Sequence, residues 1–280
     1  MEELMMNMEG NDLIWHYCSP ETFMSIIESK AIRFSSVYHT NDYGEMDWGL
    51  SLADRLVETN FSKEAFFQEY HKSRRTWFKD NAFLISCFSF KMDLLSQWRG
   101  YANNGLGFAI GFEKEELDKV FDNCVKGEVE YNFESKVLDD YIKALRDDFV
   151  QPNNEKDLTY ELLTKIGHHF SLLKAPAFKE EGEYRYVMEV KSWDQGSGFT
   201  TLATKFDQYG KGANQIRFIL KNGIPVPYYD WSFGDKSFTK IIKQVIIGPR
   251  NPSSVKNIEL FLNMTQHKGV GVSKSKISYR

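Results

Sequence analysis

The chain is 280 residues long, enough for one large domain or two small ones with a sizeable core. Its 42% hydrophobic and 26% charged residues are ordinary for a globular protein. A formal net charge of −4 argues against broad electrostatic adhesion to nucleic acid or to an anionic membrane, while leaving room for a local basic groove.

In chain order, Leu13–Cys18 reads as a short apolar and aromatic strand. A helix follows, with Ser19 as its N-cap, Pro20 in its first turn and Phe23, Ile26 and Ile27 as its buried stripe. Residues 31–35 read as a strand, and 37–44 as a polar loop with Asn41 and Asp42, followed by Glu45. The pattern over 46–79 is mostly helical. Residues 83–90 form the strongest strand, and its imperfect alternation suits a strand covered on both faces. Residues 92–104 read as a loop or short helix, 107–112 as a strand, 114–121 as a helix and 128–131 as a strand. Residues 135–173 form two helices broken near Gln151-Pro152-Asn153-Asn154. Strands follow at 184–190, 215–220, 224–228 and 245–247, the last closed by Gly248-Pro249. A helix over 253–266 and a final strand over 270–279 complete the chain. The strands span the whole chain and the helices cluster between them. The expected fold is a single α+β domain over 1–280 with a helical insertion at about 133–175. No repeat or linker is seen, although a two-domain division stays open.

The three cysteines, Cys18, Cys87 and Cys124, have neither the spacing of a disulfide framework nor a CxxC zinc pair. No signal peptide or membrane-spanning run is seen, so the expectation is a cytoplasmic protein without a membrane partner. Aromatic residues reach 15%, a surplus of the kind that lines pockets for flat ligands.

Three segments can carry chemistry. His16-Tyr17 closes the first strand, where His16 can bond a ribose hydroxyl and Tyr17 can offer a stacking face; the alternative is a satisfied core histidine. Ser96-Gln97-Trp98-Arg99-Gly100-Tyr101-Ala102 packs a guanidinium between two large aromatics. Arg99 can fork onto phosphate while Trp98 or Tyr101 stacks on a base, or Arg99 can instead be a buried cap for carbonyls. Glu181-Gly182-Glu183 leads into a strand. In an extended chain its carboxylates share a face, where their repulsion raises one pKa and suits them to stabilising a cationic transition state or removing a proton. The alternative is a solvated charge run at a strand edge. His168-His169 falls in a predicted helix, with rings about 100° apart, and reads as structural. No metal site is expected, because Asn41, Asp42 and Glu45 have no histidine at ligand spacing. No Walker motif, nucleophile elbow or Cys-His dyad is present.

Taken together, His16-Tyr17-Cys18-Ser19, Asn41-Asp42, Cys87-Phe88-Ser89, Ser96 to Ala102, Phe178-Lys179-Glu180-Glu181-Gly182-Glu183-Tyr184-Arg185, Ile247-Gly248-Pro249 and Ser275-Lys276-Ile277 resemble the bacterial family called domain of unknown function 2971. The resemblance runs from about residue 12 to the end, in order. More distantly, a first-strand His, a Ser-bearing central strand and Glu-x-Glu entering a strand are similar to the order of the ADP-ribosyltransferase superfamily. That resemblance implies a central mixed or antiparallel split sheet and NAD as substrate. It implies that His16 binds NAD, that Ser89 braces the site and that Glu183 is catalytic, with Glu181 orienting or deprotonating the acceptor. The long insertion before Glu181 and the Arg99-Gly100-Tyr101 element depart from the superfamily pattern.

Two readings follow, with a third behind them. In the first, the protein transfers ADP-ribose from NAD to a protein or nucleic-acid acceptor, as a toxin or phage-defence effector does. His16 and Arg99 hold the diphosphate and ribose, Tyr17 or Tyr101 stacks on nicotinamide, and Glu183 and Glu181 do the chemistry. In the second, it is a nucleotide-sensing or nucleic-acid-binding module in which Arg99, Trp98, Tyr101 and Arg185 clamp a base and a phosphate. The third is a metal-dependent nuclease built on Asp42, Glu45, Glu181 and Glu183.

Overall fold

The computed structural model describes residues 13–39, 45–132, 134–150, 157–194, 199–202, 216–221, 223–233 and 240–279. The predicted Asn41-Asp42 loop and the helix break at 151–154 lie outside them.

The chain opens with β1 (Leu13–Cys18), α1 (Pro20–Ser29) and β2 (Ala31–Ser36). The start of α1 follows from its sequence: Ser19 Oγ accepts the Thr22 N–H at 3.2 Å, and Pro20 loses nothing by lacking an N–H in the first turn. Then come α2 (Glu45–Phe61), α3 (Ala65–Asp80), β3 (Asn81–Ser89), α4 (Leu95–Gly100), β4 (Phe108–Glu113), α5 (Lys114–Val120) and β5 (Val125–Glu128). The insertion supplies α6 (Lys136–Val150) and α7 (Asp157–Phe170). The rest is β6 (Glu183–Asp194), β7 (Phe199–Leu202), β8 (Arg217–Lys221), β9 (Ile224–Ser232), β10 (Ile242–Ile247), α8 (Val255–Met264) and β11 (Gly271–Lys274). The predicted strand at 128–131 forms three residues earlier, as β5. The tail strand is confined to β11, with 275–279 running on irregularly.

All these strands join one sheet in the order β11-β10-β4-β1-β3-β2-β9-β8, with β6 on β3 and β5 and β7 on β6. Its pairs are antiparallel except β10 with β11. This is a mixed α+β architecture with helices on both faces. Alternation along the central strands sorts the core. On one face Ile14, Cys18, Phe88, Tyr184 and Tyr186 pack under α1, α5 and α8. On the other, Phe83, Ile85 and Val187 pack under α2, α3, α6 and α7, and Trp15 and Tyr17 pack beside them against Trp98 of α4.

The sheet forks at β3. One edge of β3 pairs with β6 from Asn81 to Ser89 without a break. The other edge meets β2 at Leu84 and Ile85 but β1 at Ser89, so those two strands part over Ser86, Cys87 and Phe88. The fork leaves the Cys87 carbonyl to be met by a side chain, and His16 Nδ1 meets it at 3.0 Å.

Candidate active site

Glu181 and Glu183 do not lie on one extended strand. A 3₁₀ turn, Pro176–Glu181, ends at Gly182, whose φ of 51° is left-handed and costs glycine least. β6 begins only at Glu183. The two carboxylates are brought together by Lys174, which is 1% exposed. Its Nζ donates to Glu181 Oε2 at 2.6 Å and to Glu183 Oε1 at 3.3 Å, and sits 4.7 Å from the centre of the Phe178 ring.

Arg185 lies behind Glu183 with no exposed surface. Its Nε donates to Glu183 Oε2 at 2.7 Å, Nη2 pairs with the same oxygen, and Nη1 donates to the Ser171 carbonyl at 3.0 Å. Tyr101 OH donates to Glu181 Oε1 at 3.1 Å, and Tyr131 OH accepts the Glu183 N–H at 2.9 Å. Ser89 Oγ donates to the Glu181 carbonyl at 2.6 Å and accepts the Lys91 N–H at 3.0 Å, tying the turn to the end of β3.

Two carboxylates and two cations thus meet out of water, where unpaired charge is prohibitively costly. The carboxyls respond in opposite directions. Burial pushes the Glu181 carboxyl above the usual range; Lys174 and Tyr101 offset this in part, and Glu183 adds to it. Burial pushes Glu183 the same way, but Arg185 and Lys174 outweigh it and hold that carboxyl below the ordinary value. Burial also raises the Tyr101 phenol, so it stays a proton donor to Glu181. The expected repulsion along one extended face is not the main cause: Glu181 is raised chiefly by burial, with Glu183 a smaller contribution.

This cluster borders the fork. Cys87, near the end of β3, is half-buried and packs against the α2–α7 cluster. It is close enough to Tyr101 to act electrostatically on the phenol. In the same stretch the Ser86 hydroxyl is 2% exposed and makes no hydrogen bond.

Other expected site residues lie elsewhere. The ring of His16 leans into the fork, tilted against Phe88 at 5.5 Å, on the side of Ile14 and Cys18 rather than of Glu183. Burial lowers its pKa, so it is neutral at pH 7 and poorly suited to hold a diphosphate by charge. Tyr17 does not offer a stacking face. It is buried edge-on against Trp98 at 4.9 Å, its hydroxyl donating to the Lys91 carbonyl at 2.7 Å and accepting the Leu94 N–H at 3.1 Å. Trp98 is wholly enclosed, and its Nε1 donates to Asp93 at 2.6 Å, so it braces α4 and stacks on nothing outside. Arg185 is consumed by Glu183 and cannot clamp a phosphate. Arg99 is exposed on α4, which removes the buried-cap alternative.

Asp42 lies outside the described residues, as does the side chain of Glu45, so the carboxylate set for a nuclease is not assembled among those described. No group of three or more His, Cys, Asp or Glu placed to hold a metal occurs among the described residues. His168 and His169 face different partners, Glu189 at 3.1 Å and Ser135 at 2.8 Å. No helix among the described residues is long and apolar enough to cross a membrane.

Sequence reasoning missed Lys174 and Tyr131. The available signal for Lys174 was one charge inside the otherwise uncharged run Phe170-Ser171-Leu172-Leu173-Lys174-Ala175-Pro176, since a lysine there must find a partner if the run is buried.

No curated protein and no solved structure matches the chain. Residues 97–186, which hold Tyr101, Tyr131, Lys174, Glu181, Glu183 and Arg185, match the model of the family described as protein of unknown function, DUF2971.

Proposed function

We propose that the chain is an NAD-dependent ADP-ribosyltransferase acting on a macromolecular acceptor, with its chemistry at the fork of the sheet. The observation that carries this reading is the carboxyl of Glu181, bonded to Tyr101 and Lys174, raised by burial and set beside the place where β1 and β2 part along β3. In the transfer the glycosidic C–N bond to nicotinamide breaks, a bond from the acceptor forms at the same carbon, and the acceptor loses a proton. Glu181, the less enclosed carboxylate, stabilises positive charge on the ribose and takes that proton. Glu183, locked by Arg185 and Lys174, orients it.

Exchanging the expected roles of the two glutamates follows from Glu183 being paired with both Lys174 and Arg185, whereas Glu181 is bonded by Lys174 and the neutral Tyr101 phenol. Carboxylate and phenol suit ribose hydroxyls. For the diphosphate, Lys91 is exposed and lies against Gly182, and Arg99 is exposed on α4. A toxin or defence role is by analogy with small bacterial transferases.

The test is nicotinamide release and transfer of adenine-labelled NAD into macromolecules of a cell extract. Wild type releases and labels; Glu181→Gln, folded, loses about 10²- to 10³-fold, the usual size of one electrostatic contribution at a reaction centre. An unimpaired Glu181→Gln would overturn the assignment.

One observation favours a second reading. Both carboxylates are already neutralised by protein cations. Such a satisfied network suits a nucleotide-binding module without catalysis, which would bind NAD and release no nicotinamide.

A further inference from the structure

We infer that Lys174 is a positioning residue of this site, its ammonium holding the Glu181 and Glu183 carboxylates together. This rests on the reading of Glu181 as the working carboxylate. Lys174 is fully enclosed, which is costly for an ammonium and rare unless the charge is paired. It bridges two carboxylates from different backbone segments, one in the 3₁₀ turn and one on β6, and no other described side chain is shown to bond both. Its segment is itself fixed: the Lys174 N–H donates to the Glu130 carbonyl at 3.0 Å, and the Glu130 N–H donates to Leu172 at 2.8 Å. The ammonium is therefore delivered by the junction of α7 with the strip after β5.

The groups around Glu181 come from every neighbouring element. They are Tyr101 after α4, Lys174 after α7, and Glu183 with Arg185 behind it on β6. Tyr131 reaches the Glu183 backbone after β5, and Lys91 lies against Gly182 after β3. Of these, Lys174 is the cation in contact with Glu181, and both its hydrogen bond and its charge lower that carboxyl's pKa.

The sign follows. Without the ammonium Glu181 is harder to ionise, so its titration and the acid limb of turnover both move up in pH. In Lys174→Met the Glu181 carboxyl, followed by side-chain carbon NMR, titrates higher by roughly one to three pH units, the effect of losing an opposite charge at contact distance. Lys174→Arg, which keeps the charge, restores the midpoint towards wild type. The acid limb of nicotinamide release by Lys174→Met moves up by the same interval.

If Lys174→Met does not fold, wild type serves alone: the Lys174 ammonium nitrogen shift must change with the same midpoint as the Glu181 carbon. A Glu181 midpoint unmoved in Lys174→Met, or a Lys174 nitrogen indifferent to it in wild type, overturns the inference. Titration is read without turnover. A wild type that releases no nicotinamide but shows the coupled titration therefore removes the transferase reading and leaves the Lys174 assignment standing.

Discussion

Glu183 and Glu181 are two residues apart, yet replacing them should have unequal consequences. Glu183 is bonded to two enclosed cations, so Glu183→Ala removes a carboxylate from both Arg185 and Lys174 and should cost about 3–5 kcal/mol in urea unfolding. pH separates the two further. The folded-state carboxyl of Glu183 lies below its unfolded value, so its stabilisation is complete above the ordinary glutamate range near about 4.3 and is lost as pH falls through the folded value. For Glu181 the folded carboxyl lies above the unfolded one, so ionising it as pH rises opposes stability. The acid loss of stability below about pH 4.3 should therefore be shallower in a folded Glu183→Gln than in wild type. An unchanged acid slope would show that Glu183 is not held charged by the fold. Sequence reading identified both glutamates and Tyr101 as candidates, because they sit in short recognisable strings. Their partners Lys174 and Tyr131 come from 7 and 52 residues away; the lone charge of Lys174 in an apolar run signals a need for a partner without saying which, and nothing local marks Tyr131.

At the scale of elements, α4 is the piece that carries Tyr101 to Glu181, and it has only 6 residues. Intrinsic helicity cannot hold so short a segment. Asp93 does much of that work: one oxygen accepts Trp98 Nε1 at 2.6 Å and Ser275 Oγ at 2.8 Å, and the other accepts the Lys276 N–H at 2.8 Å. The C-terminal strip is thereby tied to the site through α4. Asp93→Ala should orphan the buried Trp98 donor at a cost of about 1–3 kcal/mol. Hydrogen exchange over 94–101 should speed up while the amides of β6 stay protected; uniform exchange across both would show that Asp93 does not anchor this element. The helix over 92–104 was half legible, as aromatics around a glycine. What could not be read was orientation. A string such as Trp98-Arg99-Gly100-Tyr101 does not say which side chains turn inward, and here Trp98 is enclosed, Arg99 is exposed and Tyr101 stands between them.

Across the described sheet, β1 and β2 part along β3 over Ser86, Cys87 and Phe88, and the polar cluster of Lys174, Glu181, Glu183 and Arg185 stands beside that fork. The α+β class was legible because strand patterns recur along the chain and helices cluster at 46–79 and 135–173. The strand order was not, because the partners of β3 come from residues 15, 35–36 and 183–191, and periodicity carries no information on pairing. The central claim is that substrate enters at this fork, and the cysteines offer a direct probe. The reactive form of cysteine is the thiolate. Burial pushes the Cys18 and Cys124 thiols far up, whereas Cys87 is half-buried at the fork. Iodoacetamide labelling of the folded protein, read by peptide mass spectrometry, should therefore modify Cys87 and spare the other two, and excess NAD should slow the modification. Labelling of Cys87 at the same rate with and without NAD would contradict the account.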